Sequence, residues 1–362
     1  MIQKLKITLS LIVLITAMAS TSYAQSYDEP KLLIISGFEG GTNYDMAKDM
    51  QRMTRVKYGI AAYTDGDMVI EMKDNKPVIS EDGDTSMIAE QIPTGDTTEF
   101  LNVRESEGSY YNFLRVTKSN TDLAFLQYDV LLYEAMKDLT RTYKKTENIR
   151  VIMPMGVEQI HIMVLKSDEK GSIKTYQDLK GKKVAIGSSL QGTNITAKYI
   201  KEVTKMDWHD VEIPYDKALK ALLSKRIDAF FYVGAAPVSN FTGMSKQMRD
   251  MITLIPLVPE KGKKDLDEAY IKATITADTY SKWLKTDIAT YSVRSLLVTD
   301  INGQTKEQQD NIVKLMQTVI EHKNDSGIHK NWKKVFGPEE EGATKFTDDD
   351  WDFYEPTKSL FN

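Results

Sequence analysis

The chain has no cysteine, and only four histidines and ten prolines occur among its 362 residues. Without cysteine there are no disulfides, no thiol nucleophile, no cysteine-ligated metal and no lipid anchor on a terminal cysteine. Stability has to come from a buried core, which a chain of this length with 41% hydrophobic residues is able to build. His161, His209, His322 and His329 are scattered, and neither an HExxH spacing nor a G-x-S-x-G elbow occurs. No catalytic set, no metal and no cofactor is expected. A basic stripe is missing too: lysines and acids interleave and the net charge is −5, so no nucleic-acid partner is expected.

Beyond the first 24 residues no apolar run is long enough to cross a bilayer. At the start, Lys4 and Lys6 precede the apolar "ITLSLIVLITAMA", and "STSYA" places small residues at Ser22 and Ala24. This pattern predicts a secretory signal cleaved after Ala24 and a periplasmic mature protein. Cleavage would leave 45 basic against 52 acidic residues, a net charge of −7.

From Lys31 onward, short apolar runs alternate with amphipathic stretches: "KLLIIS", then a helix over about 43–57; "FLNVRES", then "YYNFLRVTKS"; "DLAFLQYD", then "VLLYEAMKDL". An extended region, "IRVIMPMG" and "IHIMVLKS", separates this series from a second one beginning at "KKVAIGS". Such alternation predicts an α/β fold of mostly parallel sheets covered on both faces. Two series predict two lobes. Lobe I comprises residues 27–156 plus 291–362, with "YSVRSLLVT" and the helix "KEQQDNIVKLMQTVIEHK" crossing back to complete it, and lobe II comprises 157–290. Residues 64–97 interrupt the rhythm with nine acids and two lysines. They read as an acidic solvated insertion carrying a β-hairpin with Asp74 and Asn75 at its turn; a calcium loop is the alternative, although the EF-hand spacing is absent.

One echo bears on function. "GTNYDMAK" (41–48) follows the first strand of the first series, and "GTNITAK" (192–198) follows the first strand of the second. In open parallel sheets, ligands bind beyond the carboxyl ends of the strands. There the first turn of each helix presents unpaired N–H groups and a positive dipole end, worth roughly 0.3–1 kcal/mol to an exposed anion and up to about 2 when partly buried. Four such turns, after Ser36, Ser106, Ser188 and Val233, are consistent with a shared cleft. Turn chemistry with a capped helix start is the alternative for Gly40 to Asn43. Tyr44, Tyr110, Tyr128 and Tyr232 either wall a pocket or pack. His161, inside "IHIMVL", is expected to be a packed histidine, and Asp228 to fix a loop-to-strand turn.

Taken in order, "SGFEGGTNYDMA", "EGSYYNFLRVTKSNTDLAFLQYDV", "VIMPMGVEQIHIMVLKSD", "TYQDLKGKKVAIGSSLQGTNITAKYI", "ALLSKRIDAFFYVGAAP" and "YSVRSLLVTD" resemble the solute-binding proteins of tripartite ATP-independent periplasmic (TRAP) transporters, specifically the TAXI family. The resemblance implies a two-lobed periplasmic-binding-protein fold, type II-like, with a cleft between the lobes and a crossing hinge. It implies a receptor that delivers a small organic acid or amino acid, glutamate-like or a dicarboxylate, to a TRAP membrane permease. Carried over by motif, the ligand contacts are Gly41, Thr42, Asn43 and Tyr44; Ser109 and Tyr110; Gln127 and Asp129; Ser188, Gln191, Gly192, Thr193 and Asn194; and Gly234 and Ala235. Asn43, Asp45, Leu190 and Gln191 depart from the family pattern, and Glu39 adds a carboxylate beside the first turn. Two other functions fit the same architecture: a binding component of a sensory system, and a periplasmic enzyme using Asp129 or Glu158 as general base.

Overall fold

The computed structural model describes residues 30–59, 61–70, 72–73, 76–77, 87–97, 99–167, 172–335 and 346–361. The export segment expected over residues 1–24 lies outside them. Contacts divide the chain into two units, of which the larger comprises residues 30–61 and 97–362. Its strands are β1 (Leu32–Ile35), β6 (Leu101–Arg104), β7 (Leu123–Gln127), β8 (Ile149–Leu165), β9 (Lys183–Ala185), β10 (His209–Val211), β11 (Ala229–Gly234), β12 (Ile252–Leu254), β13 (Ile271–Ile275) and β14 (Ile288–Asp300). The insertion supplies β2 (Ala61–Ile70), β3 (Met72–Lys73), β4 (Lys76–Pro77) and β5 (Met87–Thr97).

In the larger unit the strands hydrogen-bond in the order β10-β9-β11-β8-β14-β7-β1-β6, with β12 added to β8 and β13 to β14. The outer pairs β1–β6, β1–β7, β9–β10 and β9–β11 are parallel, as the strand–helix alternation predicts. The centre differs from the expectation of mostly parallel sheets. The region around 150–166 is one 17-residue strand, β8, paired antiparallel to the 13-residue β14 from Ser292↔Gln159 to Asp300↔Ile149. Both run through the whole unit and join the two parallel groups into one mixed sheet.

Helices cover both faces because side chains alternate along each strand. On β7, Leu123 and Phe125 enter a core with helix α1 (Thr42–Tyr58) and helix 306–322. Ala124 and Leu126 face the opposite way, into a core with α2 (Ser109–Val116) and α3 (Tyr128–Asp138). In the other half, Ala229, Phe231 and Val233 of β11 meet α4 (Gly192–Thr204), while Phe230 faces α5 (Tyr215–Leu223) and Phe241. In α1 the buried Met46, Ala47, Met50 and Met53 recur at helical spacing. Asp228 accepts the Lys183 N–H at 2.8 Å, so it fixes the turn into β11 as expected.

The described residues of the smaller unit are 62–70, 72–73, 76–77 and 87–96. There β2 pairs with β5, and β3 pairs antiparallel with β4 with Lys73 opposite Lys76. Asp74 and Asn75, and the "EDGDTS" weighed as a calcium loop, lie outside the described residues. Among the described residues no helix is long and apolar enough to cross a membrane.

One buried acid ties the C-terminal region to α1. Asp49 Oδ2 accepts the His329 N–H at 2.6 Å and the indole N–H of the fully buried Trp332 at 3.0 Å. Asp49→Ala removes both of these hydrogen bonds to a buried carboxylate, and urea denaturation is expected to show a loss of about 1–3 kcal/mol.

Candidate functional site

The four strand-to-helix turns singled out in the sequence meet at one cavity of about 110 Å³. The turn after β1 contributes Ser36 to Phe38 and Gly41 to Asn43, and the turn after β6 contributes Glu107 to Ser109. From the other half come Gly187 with Gln191 to Thr193, and Val233 to Ala235 with Val238 and Ser239. The space is well above what a single water needs and suits a small solute.

Three helices point their N-termini at this space: α1 after Gly41, α2 after Gly108 and α4 after Gln191. None of these N-cap residues makes a side-chain cap, so the first-turn N–H groups are left to other partners. α1 and α2 follow strands of one parallel group, and α4 follows a strand of the other.

Glu158, near the middle of β8, forms the polar floor. It is 7% exposed; its Oε1 accepts from Asn43 Nδ2 at 3.0 Å and its Oε2 from Gln127 Nε2 at 2.7 Å. Burial raises its pKa, and the donors Gln127 and Asn43 act in the opposite direction. Ser109 in turn accepts the Gln127 backbone N–H at 2.7 Å. No lysine, arginine or histidine is among the lining residues, which include two acids, Glu158 and the exposed Glu107. Glu39 is exposed and does not line the cavity.

Of the residues expected at the site, Gly41, Thr42, Asn43, Ser109, Gln127, Gln191, Gly192, Thr193, Gly234 and Ala235 line the cavity. Five do not, each for a local reason. Tyr44 lies one residue further along α1 than Asn43, so the helix turns it away. The Tyr110 ring stacks on Phe113 and lies beneath Lys137. Asp129 is turned to the back of the sheet, where its Oδ2 accepts from Thr196 at 2.6 Å and from Tyr270 at 3.1 Å, and burial raises its pKa to about 6. Ser188 donates its N–H to Gln191 Oε1 at 2.8 Å, closing its own loop. Asn194 is buried and clips that loop through the Gly187 carbonyl at 3.4 Å. Of the four tyrosines weighed as walls, only Tyr232 lines the cavity, and Tyr215 joins it across a 5.2 Å ring contact. Tyr215 was within reach of sequence reading, because "VEIPYDK" is another strand-to-helix turn.

His161 is packed, as expected. Its Nδ1 lies 2.9 Å from the Gln159 carbonyl and its Nε2 2.9 Å from the Tyr280 hydroxyl, which accepts the Val238 N–H. Burial lowers its pKa from 6.5 to about 4, which keeps the ring neutral. Among the described residues no group of three or more acids and histidines is placed to hold a metal.

Residues 86–339 match the sequence profile of the NMT1-like family. The chain belongs to that family. Solved structures similar to this NMT1-like chain include the GluR0 ligand-binding core from Nostoc punctiforme in complex with L-glutamate, at 14% identity and a TM-score of 0.43, covering 85% of this chain and 100% of that one. A putative L-cystine ABC transporter from Listeria monocytogenes shows 11% identity and a TM-score of 0.42, covering 85% and 96%. An arginine transport system periplasmic binding protein from Legionella pneumophila shows 12% identity and a TM-score of 0.41, covering 85% and 100%. At such identities and scores, the reading of the cavity rests on this chain's own residues.

Two predictions follow from the geometry. A Cβ on Gly192 would lie 1.7 Å from Gln127 Oε1 and 3.0 Å from Ser109 Cβ. Gly192→Ala therefore has to push the Gln127 amide off its hydrogen bond to Glu158, at an expected cost of about 1–3 kcal/mol in denaturant melts; an unchanged midpoint would mean that this amide is not held there in solution. The second concerns His161, whose pKa is lower folded than unfolded, so its contribution is present above pH 6.5 and is lost as pH falls towards 4. His161→Gln should flatten the loss of stability over that interval by up to about 3 kcal/mol, read from urea melts at stepped pH.

Proposed function

We propose that this protein is the extracytoplasmic solute receptor of a TRAP-type, TAXI-family transport system. It holds a small carboxylate-bearing solute, an organic acid or an amino acid, between two lobes and delivers it to a membrane permease. In this reading lobe I is residues 27–156 with 291–362, and lobe II is 157–290. The observation that carries it is the convergence of three helix N-termini without side-chain caps, from both halves, on one solute-sized cavity. Backbone N–H groups and helix dipoles at these positions favour a carboxylate even without a basic side chain. The family motifs, read in order, and the export signal expected at the N-terminus support the same reading.

Binding rather than turnover fits the side chains present. Of the two carboxyls considered as general bases, Asp129 faces away from the cavity. Glu158 reaches it but accepts from two amides. The sensory alternative would use the same cavity; uptake of the solute that depends on a neighbouring permease gene distinguishes transport from it.

The test is a thermal-shift screen of organic acids, amino acids, sugars and polyols. A carboxylate solute at a hundred times its dissociation constant should stabilise the protein by roughly 2.7 kcal/mol, a shift of a few degrees or less in a chain this size. If sugars or polyols shift the transition while every carboxylate fails, the reading is wrong. Thr42→Ala, at the α1 start, should weaken the best solute by about 0.5–1.5 kcal/mol in calorimetric titration.

A further inference from the structure

Resting on the receptor reading, we propose that the solute carries an ammonium group paired with Glu158 and no second carboxylate: a zwitterionic amino acid with an uncharged side chain.

The geometry begins with an unbalanced charge. Glu158 is the one acid both buried and lining the cavity, and among the described residues it forms no ion pair. Its two oxygens each accept one amide hydrogen bond, from Asn43 and from Gln127, and a carboxylate oxygen has room for a second. Because Gln127 Nε2 points at Glu158, the amide orientation is fixed and Gln127 Oε1 faces elsewhere. That oxygen is buried and finds no hydrogen-bond donor among the described residues, and Gln127 itself is 6% exposed. The Ser295 hydroxyl beside Glu158 adds one neutral donor, so what this floor still has no match for is the charge of Glu158. An ammonium group is the complement, with three donors, no acceptor and one positive charge. A buried carboxylate without a counter-charge is costly, and a cationic group on the solute removes that cost while adding charge-assisted hydrogen bonds.

The rest of the cavity limits the other end of the solute. One carboxylate is served by the helix N-termini. A second would meet Glu158 and Glu107 with no basic side chain in the lining to offset them, an arrangement that selects against dicarboxylates by repulsion. The remaining wall includes Phe38, Phe125, Ile213, Tyr215 and Tyr232 and carries no charged side chain, which suits an apolar or neutral polar side chain.

The experiment is isothermal titration calorimetry of the mature protein with the twenty L-amino acids and with succinate and glutarate. Every binder is then retested as its desamino carboxylic acid, for example 4-methylpentanoate for L-leucine. At least one amino acid with an uncharged side chain should bind, and its desamino counterpart should bind at least ten-fold more weakly. Glu158→Gln, which keeps the shape of the side chain, should weaken the same amino acid at least ten-fold while leaving the circular dichroism spectrum intact. Equal or tighter binding of a desamino acid, of succinate or of glutarate overturns the ammonium inference and leaves the receptor reading standing. So does wild-type affinity in Glu158→Gln. L-glutamate or L-aspartate as the tightest amino acid overturns the exclusion of a second carboxylate. If no amino acid and no carboxylate binds, the receptor reading itself fails. Should Glu158→Gln not fold, the matched solutes on the unmodified chain decide the matter.

Discussion

The antiparallel pairing of β8 with β14 holds every other part of the larger unit in place. One parallel group attaches where β14 pairs with β7, from Ser295↔Gln127 to Val298↔Ala124, and the other where β8 pairs with β11, from Gly234↔Gln159 to Ala229↔Val164. The first ends at Ser295 opposite Gln127 and the second at Gln159 opposite Gly234, and Gln127 and Gly234 both line the cavity. Side chains alternate along a strand, so a slip of one residue would turn Glu158 out of the cavity and His161 out of its core. The ladder therefore fixes the position and also the facing of the polar floor.

From that floor a hydrogen-bonded chain runs outward. Asn43 at the start of α1 and Gln127 at the end of β7 both donate to Glu158, and Ser109 at the start of α2 accepts from the Gln127 backbone. Three separate strand-to-helix turns are thus set relative to one carboxyl. α4 completes the enclosure only because its first residue is glycine, since Gln127 occupies the space a Cβ would need. The residue that opens α4 towards a ligand is the same one that permits close approach of the two halves.

Much of this was legible in the sequence, and the limits have physical causes. Strand–helix alternation and the four turns are local patterns, and they located the strand ends that meet at the cavity. The antiparallel centre was not legible, because the partner of "IRVIMPMGVEQIHIMVL" lies more than a hundred residues away and hydrophobic runs do not encode direction. Among the site residues, composition identified the turn but not the facing. Thr42 and Asn43 line the cavity and Tyr44 does not, as a helix advancing about 100° per residue requires. Asp129 and Gln127 are two residues apart and serve opposite faces of the sheet at a strand-to-helix junction. Glu158 was legible as a candidate cleft carboxyl, but the absence of a basic neighbour in the cavity depends on where distant chain segments come together.

The manner in which the two halves touch bears on how a solute would enter. Most of the apolar core is divided between them, with Ile195 of α4 an exception that packs against the core of α2 and α3. Direct contacts between the halves include several polar ones: Tyr111 N–H to the Leu190 carbonyl at 2.9 Å, the Ser239 hydroxyl to the Gly40 carbonyl at 2.7 Å, and Thr196 with Tyr270 on Asp129. Water can satisfy each of these groups on separation, so breaking them forfeits only the small net worth of a few hydrogen bonds. Asp129, with its pKa raised to about 6 by burial, would regain solvent on opening, which further narrows the gap between open and closed forms. On the proposed receptor reading, a solute that bridges helix N-termini of both halves and the Glu158 floor would need only modest differential affinity to favour a closed form over an open one.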